Sequence, residues 1–351
     1  MGRNFRYEIC WIFKKIAIAL KMDNWYNGAR YRSIFYYRSF LEAVLFKNIV
    51  KRILVSIPVL IGVVLIIFIM LRVVPGDPVT TMLGEHVNQV VIDKISKEMG
   101  LDKPLYMQFF TYISHAVRGD FGTSYRLNRN VTGIILDAFP NTVRLAVCAA
   151  IVSWIVGIVS GIFAAVNKNN ILDRLFMGTA LLGVSMPVFM IALVLQYLFA
   201  YKLKIFPVSG YETPASMVLP SIVLGWNSAG SIARMTRSNI LEVMQEDYIR
   251  TARAKGLLEF AVMKSHALKN AMLPVVTMMA LQISSMLSGA VITENIFGIP
   301  GIGRLAVNAI ETRDMPLLQG TVIFTTILVI FGNLIADSLY SILDPRIRKE
   351  I

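Results

Sequence analysis

The chain has 351 residues, of which 56% are hydrophobic and only 16% are charged, and its formal net charge is +13. A soluble domain is about 45–50% apolar and about 25% charged, so this composition argues against an ordinary soluble protein and is typical of a membrane protein. The basic excess fits the positive-inside bias of such proteins, whereas nucleic-acid binding would need the charge on one soluble face.

Residues 1–47 form a basic and aromatic extension. Two stretches in it mix apolar with cationic residues, YEICWIFKKIAIALKM and YRSIFYYRSFLEAVLF. The first is interrupted by Lys14 and Lys15 and is too short to span a bilayer. We interpret both stretches as helices that lie in the headgroup region of the membrane. A poorly ordered basic tail is the alternative.

Six apolar segments then predict transmembrane helices, at about 53–74, 143–166, 175–201, 217–236, 272–296 and 318–343. The first is the clearest. Nineteen uncharged residues between Arg52 and Arg72 make a helix about 28 Å long, which is enough to cross the hydrocarbon core. The third segment contains Pro187, and the fourth is short and polar.

Small residues recur at intervals of four along the second of these segments: Ala149, Ser153, Gly157, Gly161 and Ala165. Residues four apart share one face of a helix, and small side chains on that face let another helix approach closely. Close helix packing and a pore-lining seam both fit this pattern.

Six spans place both termini on one side of the membrane, and the Lys and Arg residues indicate which side. Twenty-three of them lie in one alternate set of segments, 1–52, 167–174, 234–271 and 344–351. Ten lie in the other set, 73–140, 201–216 and 298–317. Because basic loops stay in the cytoplasm, the first set and both termini are predicted to be cytoplasmic.

The longest connection is the outer loop at 75–140. Two stretches in it have helical spacing, NQVVIDKISKEM and PLYMQFFTYISHAVRG. Pro104 suits the first turn of the second helix, and Gly119 suits its end. The loop is therefore predicted to be a small helical cap outside the membrane, with a passive insertion as the alternative.

Several kinds of chemistry have no motif in this sequence. It contains no Gly-x-x-x-x-Gly-Lys-Ser/Thr phosphate loop, so the chain is not expected to hydrolyse ATP. The histidines His86, His115 and His266 lack metal-ligand spacing, and Cys10 and Cys148 suggest neither a disulfide nor a zinc site. A membrane-embedded enzyme would need clustered nucleophiles, acids or metal ligands, which the sequence does not display.

Ionisable residues within membrane spans are functional candidates by default. Here they lie near span ends, at Arg144, Glu294 and Asp337. Together with Gly301, which follows the fifth span, Glu294 and Asp337 are candidate structural or gating residues. Local pairing with a neighbouring helix is the alternative. The scarcity of charges at mid-membrane favours an energy source outside this chain over an ion-coupled carrier.

The cytoplasmic stretch EDYIRTARAKG, from Glu246 to Gly256, is unusually charged for this chain. Asp247 is predicted to cap a helix, and Gly256 is predicted to end it in the left-handed conformation. A second helical run, LLEFAVMKSHALKNAM, then leads towards the fifth span. One side of that run is largely apolar and either rests on the protein's own spans or fills a groove in a partner: Leu257, Phe260, Ala261, Lys264 and Leu268.

This segment resembles the cytoplasmic loop of ABC-importer permeases. The pattern of that loop is Glu-Ala-Ala, three residues, Gly, nine residues, and Ile-x-Leu-Pro. Counting from Gly256 aligns Arg250-Thr251-Ala252 with its start and His266–Lys269 with its end, so that Ala252, Gly256 and Leu268 match. The exact sequences DYIRTARAKG and HALKNAMLPV are more specific, and together they resemble B-type permeases of the dipeptide/oligopeptide/nickel branch.

Further motifs of that branch occur in the expected order over about 48–348. They are VVPGDP, GLDKPLYMQF, RGDFGTSY, PNTVRLA, FPVSGY, ARMTRSNILEV, GAVITENIFGIPGIGRL and DPRIR. The resemblance implies an all-α polytopic membrane protein with the six transmembrane helices of the type I ABC-importer permease fold. Residues 1–47 lie outside the pattern.

The resemblance also implies function and partners. The chain is expected to be a cell-membrane permease subunit that pairs with a second homologous permease, two ATPase subunits and an extracytoplasmic substrate-binding protein. ATP and Mg would be bound by the ATPase subunits, and this chain would hold no cofactor and bind no nucleic acid. Peptides are the expected cargo, with nickel or another small solute as the alternative; a self-sufficient channel or ion-coupled carrier is a further alternative.

Within the loop at 241–271, the resemblance implies a set of residues that couple the permease to its ATPase: Arg250, Thr251, Ala252, Lys255, Gly256, Leu257 and Leu268.

Overall fold

The computed structural model describes residues 50–72, 90, 96–97, 100–124 and 126–343. The interfacial helices predicted within 1–47 lie outside the described residues, as do the motifs VVPGDP and DPRIR. The chain divides into two compact units, Met1–Ile53 and Leu54–Ile351. Of the first unit only residues 50–53 are described, and they are helical. The packing described below belongs to the second unit.

The described part of the chain is almost entirely helical. Its helices are α1 (Val50–Arg72), α2 (Leu105–Val117), α3 (Val131–Val166), α4 (Ile171–Ser185), α5 (Val188–Leu195), α6 (Pro214–Val243), α7 (Asp247–Ala254), α8 (Glu259–Ala261), α9 (Leu268–Gly289), α10 (Val291–Phe297), α11 (Ile302–Glu311) and α12 (Met315–Leu343). Two π-helical stretches continue α5 and α8, at Gln196–Lys202 and Val262–Ala267. A short antiparallel hairpin joins α2 to α3; it consists of β1 (Thr123–Ser124) and β2 (Arg129–Asn130), with Thr123 opposite Asn130.

Four helices in the described residues are long and apolar enough to cross a membrane: Val50–Arg72, Val131–Val166, Glu259–Leu287 and Met315–Ala336. They correspond to the first, second, fifth and sixth predicted spans. The third consists of two helices, Ile171–Ser185 and Val188–Lys202, bent by 111°. Pro187 explains the break, because proline has no backbone N–H to donate and disfavours helical geometry in the residue before it. Met186 accordingly has extended dihedral angles.

Helix α6 occupies the place of the predicted fourth span. Its 30 residues are long enough to cross a bilayer, but it is not among the four helices that are also apolar enough. Its polar side chains are largely covered by protein, since Ser216, Ser221 and Thr236 are buried. α6 packs against α3, α4 and α9. Surrounded by other helices, it does not need the hydropathy of a lipid-facing span.

The small residues of α3 face α6. A Cβ atom on Gly157 would lie 2.7 Å from the Cβ of Ile232, and one on Gly161 would lie 2.6 Å from the Cβ of Thr236. Gly225 on α6 is equally close to α3, because a Cβ there would lie 2.8 Å from the carbonyl oxygen of Ala149. Of the two interpretations of this pattern, the structure supports close helix packing.

The outer loop contains the predicted second helix, and it ends at an N-cap residue of α3 that makes side-chain hydrogen bonds. α2 begins after Pro104, which is its N-cap residue, and Gly119 follows its C-terminal end with φ of +79°. Asn130 then caps α3 by accepting hydrogen bonds from the backbone N–H groups of Thr132 and Gly133, at 2.8 Å and 3.4 Å. The helical character predicted for this part of the loop is confirmed.

Candidate functional site

Helix α7 starts one residue earlier than predicted, at the position predicted to be its cap. Glu246 is the N-cap residue and makes no side-chain capping bond. Asp247, predicted to be the cap, is instead the first helical residue, and its carboxylate lies 3.6 Å from the guanidinium of Arg250. The capping prediction is therefore wrong. A negative charge in the first turn nevertheless interacts favourably with the positive end of the helix dipole.

Gly256 ends α7 in the predicted left-handed conformation, with φ of +78°. Its N–H donates to the carbonyl of Arg253 at 2.9 Å, and the N–H of Leu257 donates to the carbonyl of Ala252 at 3.4 Å. These two bonds form a Schellman motif, which satisfies carbonyls that the helix end leaves free. A Cβ at this position would meet nothing within 4 Å. The constraint on Gly256 is thus its backbone conformation and not the space around it.

The second helical run begins directly after this bend and continues without a break into the fifth span, through Pro274. Leu258 is its N-cap residue and makes no side-chain capping bond. Two contacts hold the bend. Nε of Arg253 donates to the carboxylate of Glu259 at 2.6 Å, and Nδ2 of Asn270 donates to the hydroxyl of Tyr248 at 2.9 Å. The segment 246–270 is therefore a fixed helix–bend–helix, referred to below as the hook.

The inner side of the hook is apolar and closed. Ile249 and Ala252 of α7 pack against Val262 and Ala267, and all four are buried. The partly buried side chains around them are Val243, Met244 and Met263. Because Val243 ends α6, the hook is packed directly against the C-terminal end of that helix.

The outer side of the hook carries most of the predicted coupling residues. Arg250, Thr251, Lys255, Gly256 and Leu257 are exposed. The remaining two belong to the inner side or its edge, since Ala252 is buried and Leu268 is half-buried. Those two match the pattern of permease loops through packing within this chain.

The two most exposed apolar side chains of the hook are Leu258 and Phe260, at 79% and 76%. Phe260 belongs to the predicted apolar face of the second run, whereas Leu258 was missed. Of that predicted face, Leu257, Phe260 and Lys264 are exposed, and Ala261 and Leu268 are only half-buried. The buried stripe is formed instead by Val262 and Ala267, because the π-helical turn rotates the side chains away from ordinary α-helical spacing.

A buried ion pair that the sequence analysis missed lies at the same end of the helix bundle. Two nitrogen atoms of the Arg237 guanidinium, Nε and Nη2, donate to the two carboxylate oxygens of Asp173, each at 2.7 Å. The backbone N–H of Asn169 donates to the same carboxylate at 2.9 Å. This bidentate geometry joins the first turn of α4 to α6, two turns before α6 ends.

The second candidate cluster surrounds Glu294, which is fully buried in α10. One carboxylate oxygen accepts from the hydroxyl of Thr142 at 2.7 Å, and the other accepts from the backbone N–H of Arg304 at 3.0 Å. The Thr142 hydroxyl also accepts from the backbone N–H of Ile302 at 2.8 Å. Beside it, Nδ2 of Asn141 donates to the carbonyl of Pro300 at 3.0 Å. Two family motifs far apart in sequence, PNTVRLA and GAVITENIFGIPGIGRL, therefore meet here.

Gly301 is part of the same cluster for a steric reason. Its φ of −100° is accessible to any residue, but a Cβ would lie 2.3 Å from the carboxyl carbon of Glu294. The carboxylate thus occupies the space that any other residue would need. This is the local pairing that the sequence left open for Glu294, with neutral donors in place of a cation. Asp337 lies within α12, and its side chain is outside the described residues.

The hydrogen bonds of the Glu294 cluster connect α3, α10 and the start of α11. Both carboxylate oxygens are engaged by donors of this chain. Within the part of the chain that the structure describes, no group of three or more His, Cys, Asp or Glu side chains is placed to hold a metal ion.

Comparison with known proteins places these features in a family. Residues 157–349 match the family described as binding-protein-dependent transport system inner membrane component, and residues 45–146 match the description of the N-terminal part of such membrane components. The glutathione transport system permease protein GsiC of Escherichia coli (strain K12) is 40% identical over 300 residues, covering 86% of this chain and 98% of that protein. The protein of the same name from Salmonella typhimurium matches with the same identity and coverage.

A solved structure of the MetNI methionine ABC transporter, in an inward-facing conformation, has a similar fold. It aligns over 60% of this chain and 96% of its own chain, with a TM-score of 0.52 at 15% sequence identity. At this identity the likeness concerns the fold alone, and that fold is the one implied by the sequence motifs.

Replacing Thr142 with valine tests the Glu294 cluster, because valine keeps the shape but removes the hydroxyl that donates to Glu294 and accepts from Ile302. Leaving these buried groups unpaired should cost about 1–3 kcal/mol. The expected result is a lower midpoint of thermal unfolding for the purified transporter. Thr142→Ser keeps the hydroxyl and is the matched control. Equal midpoints for the two variants would contradict the assigned hydrogen bonds.

Proposed function

Because this chain belongs to the binding-protein-dependent transport system inner membrane component family, the permease subunits of ABC importers, we propose that it imports peptides. An importer of this kind draws its energy from separate ATPase subunits and receives cargo from a binding protein. The observation that carries the proposal of peptide cargo is the 40% identity to a glutathione permease over 86% of this chain, since glutathione is itself a small peptide.

The proposed transport unit contains a second, homologous permease beside this chain. The two would enclose the translocation pathway between them and expose it alternately to the two sides of the membrane. Both termini of this chain and the hook would face the cytoplasm. The distribution of basic residues supports this orientation, because twenty-three Lys and Arg lie in the segments that it places inside and ten in those that it places outside.

The hook is proposed to couple this movement to ATP. Its α7 helix would lie in a groove of one ATPase subunit and move with it when ATP closes the ATPase pair. The internal contacts of the hook suit such a role. α7 leaves α6 through a turn of only three residues, Met244–Glu246, and the second arm of the hook continues as the fifth span. A displacement of the hook would therefore reach α6 and α9 together.

The outer side of the hook also has the chemistry of a protein-binding surface. The exposed Leu258 and Phe260 supply apolar area, and Arg250 and Lys255 supply positive charge nearby in sequence. Aromatic side chains that enter a pocket at the centre of an interface commonly contribute much of its binding energy. Phe260 is the candidate for that position.

Cargo can be tested with the complete importer in proteoliposomes, supplied with its binding protein and with ATP inside. We expect ATP-dependent accumulation of radiolabelled di- and tripeptides, including glutathione, and no accumulation of ⁶³Ni²⁺. Uptake of nickel without peptide uptake would reject the peptide assignment while leaving the chain an importer subunit. Uptake that needs neither ATP nor the binding protein would indicate a self-sufficient carrier.

Gly256→Val tests the hook conformation. A β-branched residue in the left-handed region costs about 1–2 kcal/mol or more, so the bend should open and peptide uptake should fall towards zero while the protein stays in the membrane. Asparagine tolerates this conformation, and the space around Gly256 is open, so Gly256→Asn is the matched control and should retain most uptake. Immunoblots of membranes would check the amount of protein, and normal uptake by Gly256→Val would contradict the role of the hook.

Phe260→Ser tests the docking surface. Removing this exposed ring should reduce co-purification of the ATPase subunits and lower ATP-driven uptake, without changing the thermal stability of this chain. Ile171 is similarly exposed, at 74%, in another segment predicted to be cytoplasmic, so Ile171→Ser is the control. If both variants retain their ATPase subunits equally well, Phe260 lies outside the interface.

A further inference from the structure

Helix α2 of the outer loop exposes an apolar stripe that its own chain covers only at one residue, and there only in part. Tyr106, Phe110, Ile113 and Val117 follow one another at spacings of four, three and four residues, which places them along one side of a helix. Tyr106, Phe110 and Val117 are 65%, 67% and 82% exposed, whereas Ile113 packs in part against an apolar cluster of this chain. Exposed apolar side chains aligned on one side of a helix mark a surface that faces another protein, a ligand or a membrane.

Two contacts with α1 fix how this stripe is oriented relative to the membrane. Nε and Nη2 of Arg72, the last residue of α1, donate to Oε1 of Gln108 at 3.0 Å and 2.8 Å. The ring of Phe68 meets the ring of Phe109 edge-on, with centroids 5.3 Å apart. Phe68 is four residues before Arg72, which places it about 6 Å deeper along a helix that crosses the membrane. The side of α2 that carries Phe109 is therefore turned towards the bilayer interior.

The rest of α2 follows from this orientation, because successive residues of an α-helix are about 100° apart. Seen down the helix axis, a rotation from Gln108 towards Phe109 continues to the apolar stripe. The opposite direction leads to the exposed polar side chains His115, Thr111 and Ser114, with Met107, 43% exposed, as the apolar exception among them. His115 also contacts the carboxylate of Asp120 at 3.1 Å, and both side chains are about half exposed. The apolar stripe thus lies on the membrane side of α2 and the polar side chains lie on the water side.

The surface next to the stripe is already that of a lipid-facing span. An 18-residue stretch of α1 has a mean hydropathy of 3.2, and only 11% of that stretch is buried within the chain. Near its outer end, Ile66, Ile69 and Met70 are 59%, 49% and 62% exposed. α2 is packed against this end, at the level where the hydrocarbon core gives way to headgroups.

We propose that α2 is an interfacial helix, which lies in the headgroup region of the leaflet at the outer end of α1 and inserts Tyr106, Phe110 and Val117 into the acyl chains. Tyrosine suits this depth, because its ring is apolar and its hydroxyl reaches the headgroups. A binding protein arriving from the water would meet the opposite, polar side of α2. The assignment of this leaflet as extracytoplasmic rests on the proposed orientation of the chain, but the contact with lipid does not.

The lipid contact also changes the role of the outer loop. The cap is held at a fixed height on the membrane by α2 and against the first span by Arg72 and Phe68. Surface helices of this kind bind through their buried apolar area. A polar substitution in the stripe should loosen this hold while leaving the contacts between α1 and α2 intact.

Site-directed spin labelling of the complete importer in phosphatidylethanolamine–phosphatidylglycerol vesicles tests this proposal. Cys10 and Cys148 would be replaced by serine, and single cysteines would be introduced at Tyr106, Phe110 and Val117, with Thr111 and Ser114 as matched positions on the polar side. Collision of each label with oxygen, which concentrates in lipid, would be compared with collision with a water-soluble nickel chelate. We expect oxygen to dominate at the three stripe positions and the chelate to dominate at the two polar ones.

Two results would overturn the proposal. If the chelate reaches the labels at Phe110 and Val117 as freely as those at Ser114, the stripe faces water. If both reagents are excluded from the stripe, a protein partner covers it. Retained uptake by each labelled variant would show that the importer is assembled, and the three stripe positions report independently, so one poorly assembled variant does not decide the outcome.

Discussion

The close approach of α3 and α6 is the contact on which the other elements of the bundle depend. It requires Gly157 and Gly161 on one helix and Gly225 on the other, because at each a Cβ atom would lie 2.6–2.8 Å from the facing helix. α6 in turn carries α4 and α9 on its other sides and ends in the hook. Because a membrane offers little hydrophobic driving force between helices, tight packing of small residues supplies much of the attraction.

Two groups of polar contacts add to this close packing of α3 and α6, at separate places in the bundle. The Asp173–Arg237 pair joins α4 to α6 near the hook, and the Glu294 cluster joins α3 to α10 and α11. Asp173 is paired with a cation, which offsets the cost of burying its charge, whereas both oxygens of the buried Glu294 carboxyl group are hydrogen-bonded to neutral donors of the same chain. Within the described residues, the hook is thereby attached to a helix whose position is fixed from several sides. A force applied to it would move helices rather than bend loops.

The sequence predicted most features that depend on neighbouring residues. Long apolar runs identified four of the spans, the motif around Gly256 predicted its left-handed conformation, and the spacing after Pro104 predicted α2. It failed where a small local choice decides the geometry: the cap fell on Glu246 and not on Asp247, and a π-helical turn exchanged the buried side chains of the hook. The contact between Thr142 and Glu294 spans 152 positions, so no local pattern could reveal it. The motifs that contain these two residues could be recognised in the sequence, but their contact in the folded chain could not.

Gly256 and Gly301 are both glycine, but for two different structural reasons. At Gly301 the limit is volume, because the Glu294 carboxylate fills the place of a side chain. At Gly256 the surroundings are empty and φ is +78°, so the position discriminates by handedness. A D-amino acid prefers that backbone region, and would also reduce the freedom that glycine has in the unfolded chain. The bend of the hook is therefore a site where inverted chirality, introduced by chemical synthesis, would suit the fold better than the natural residue does.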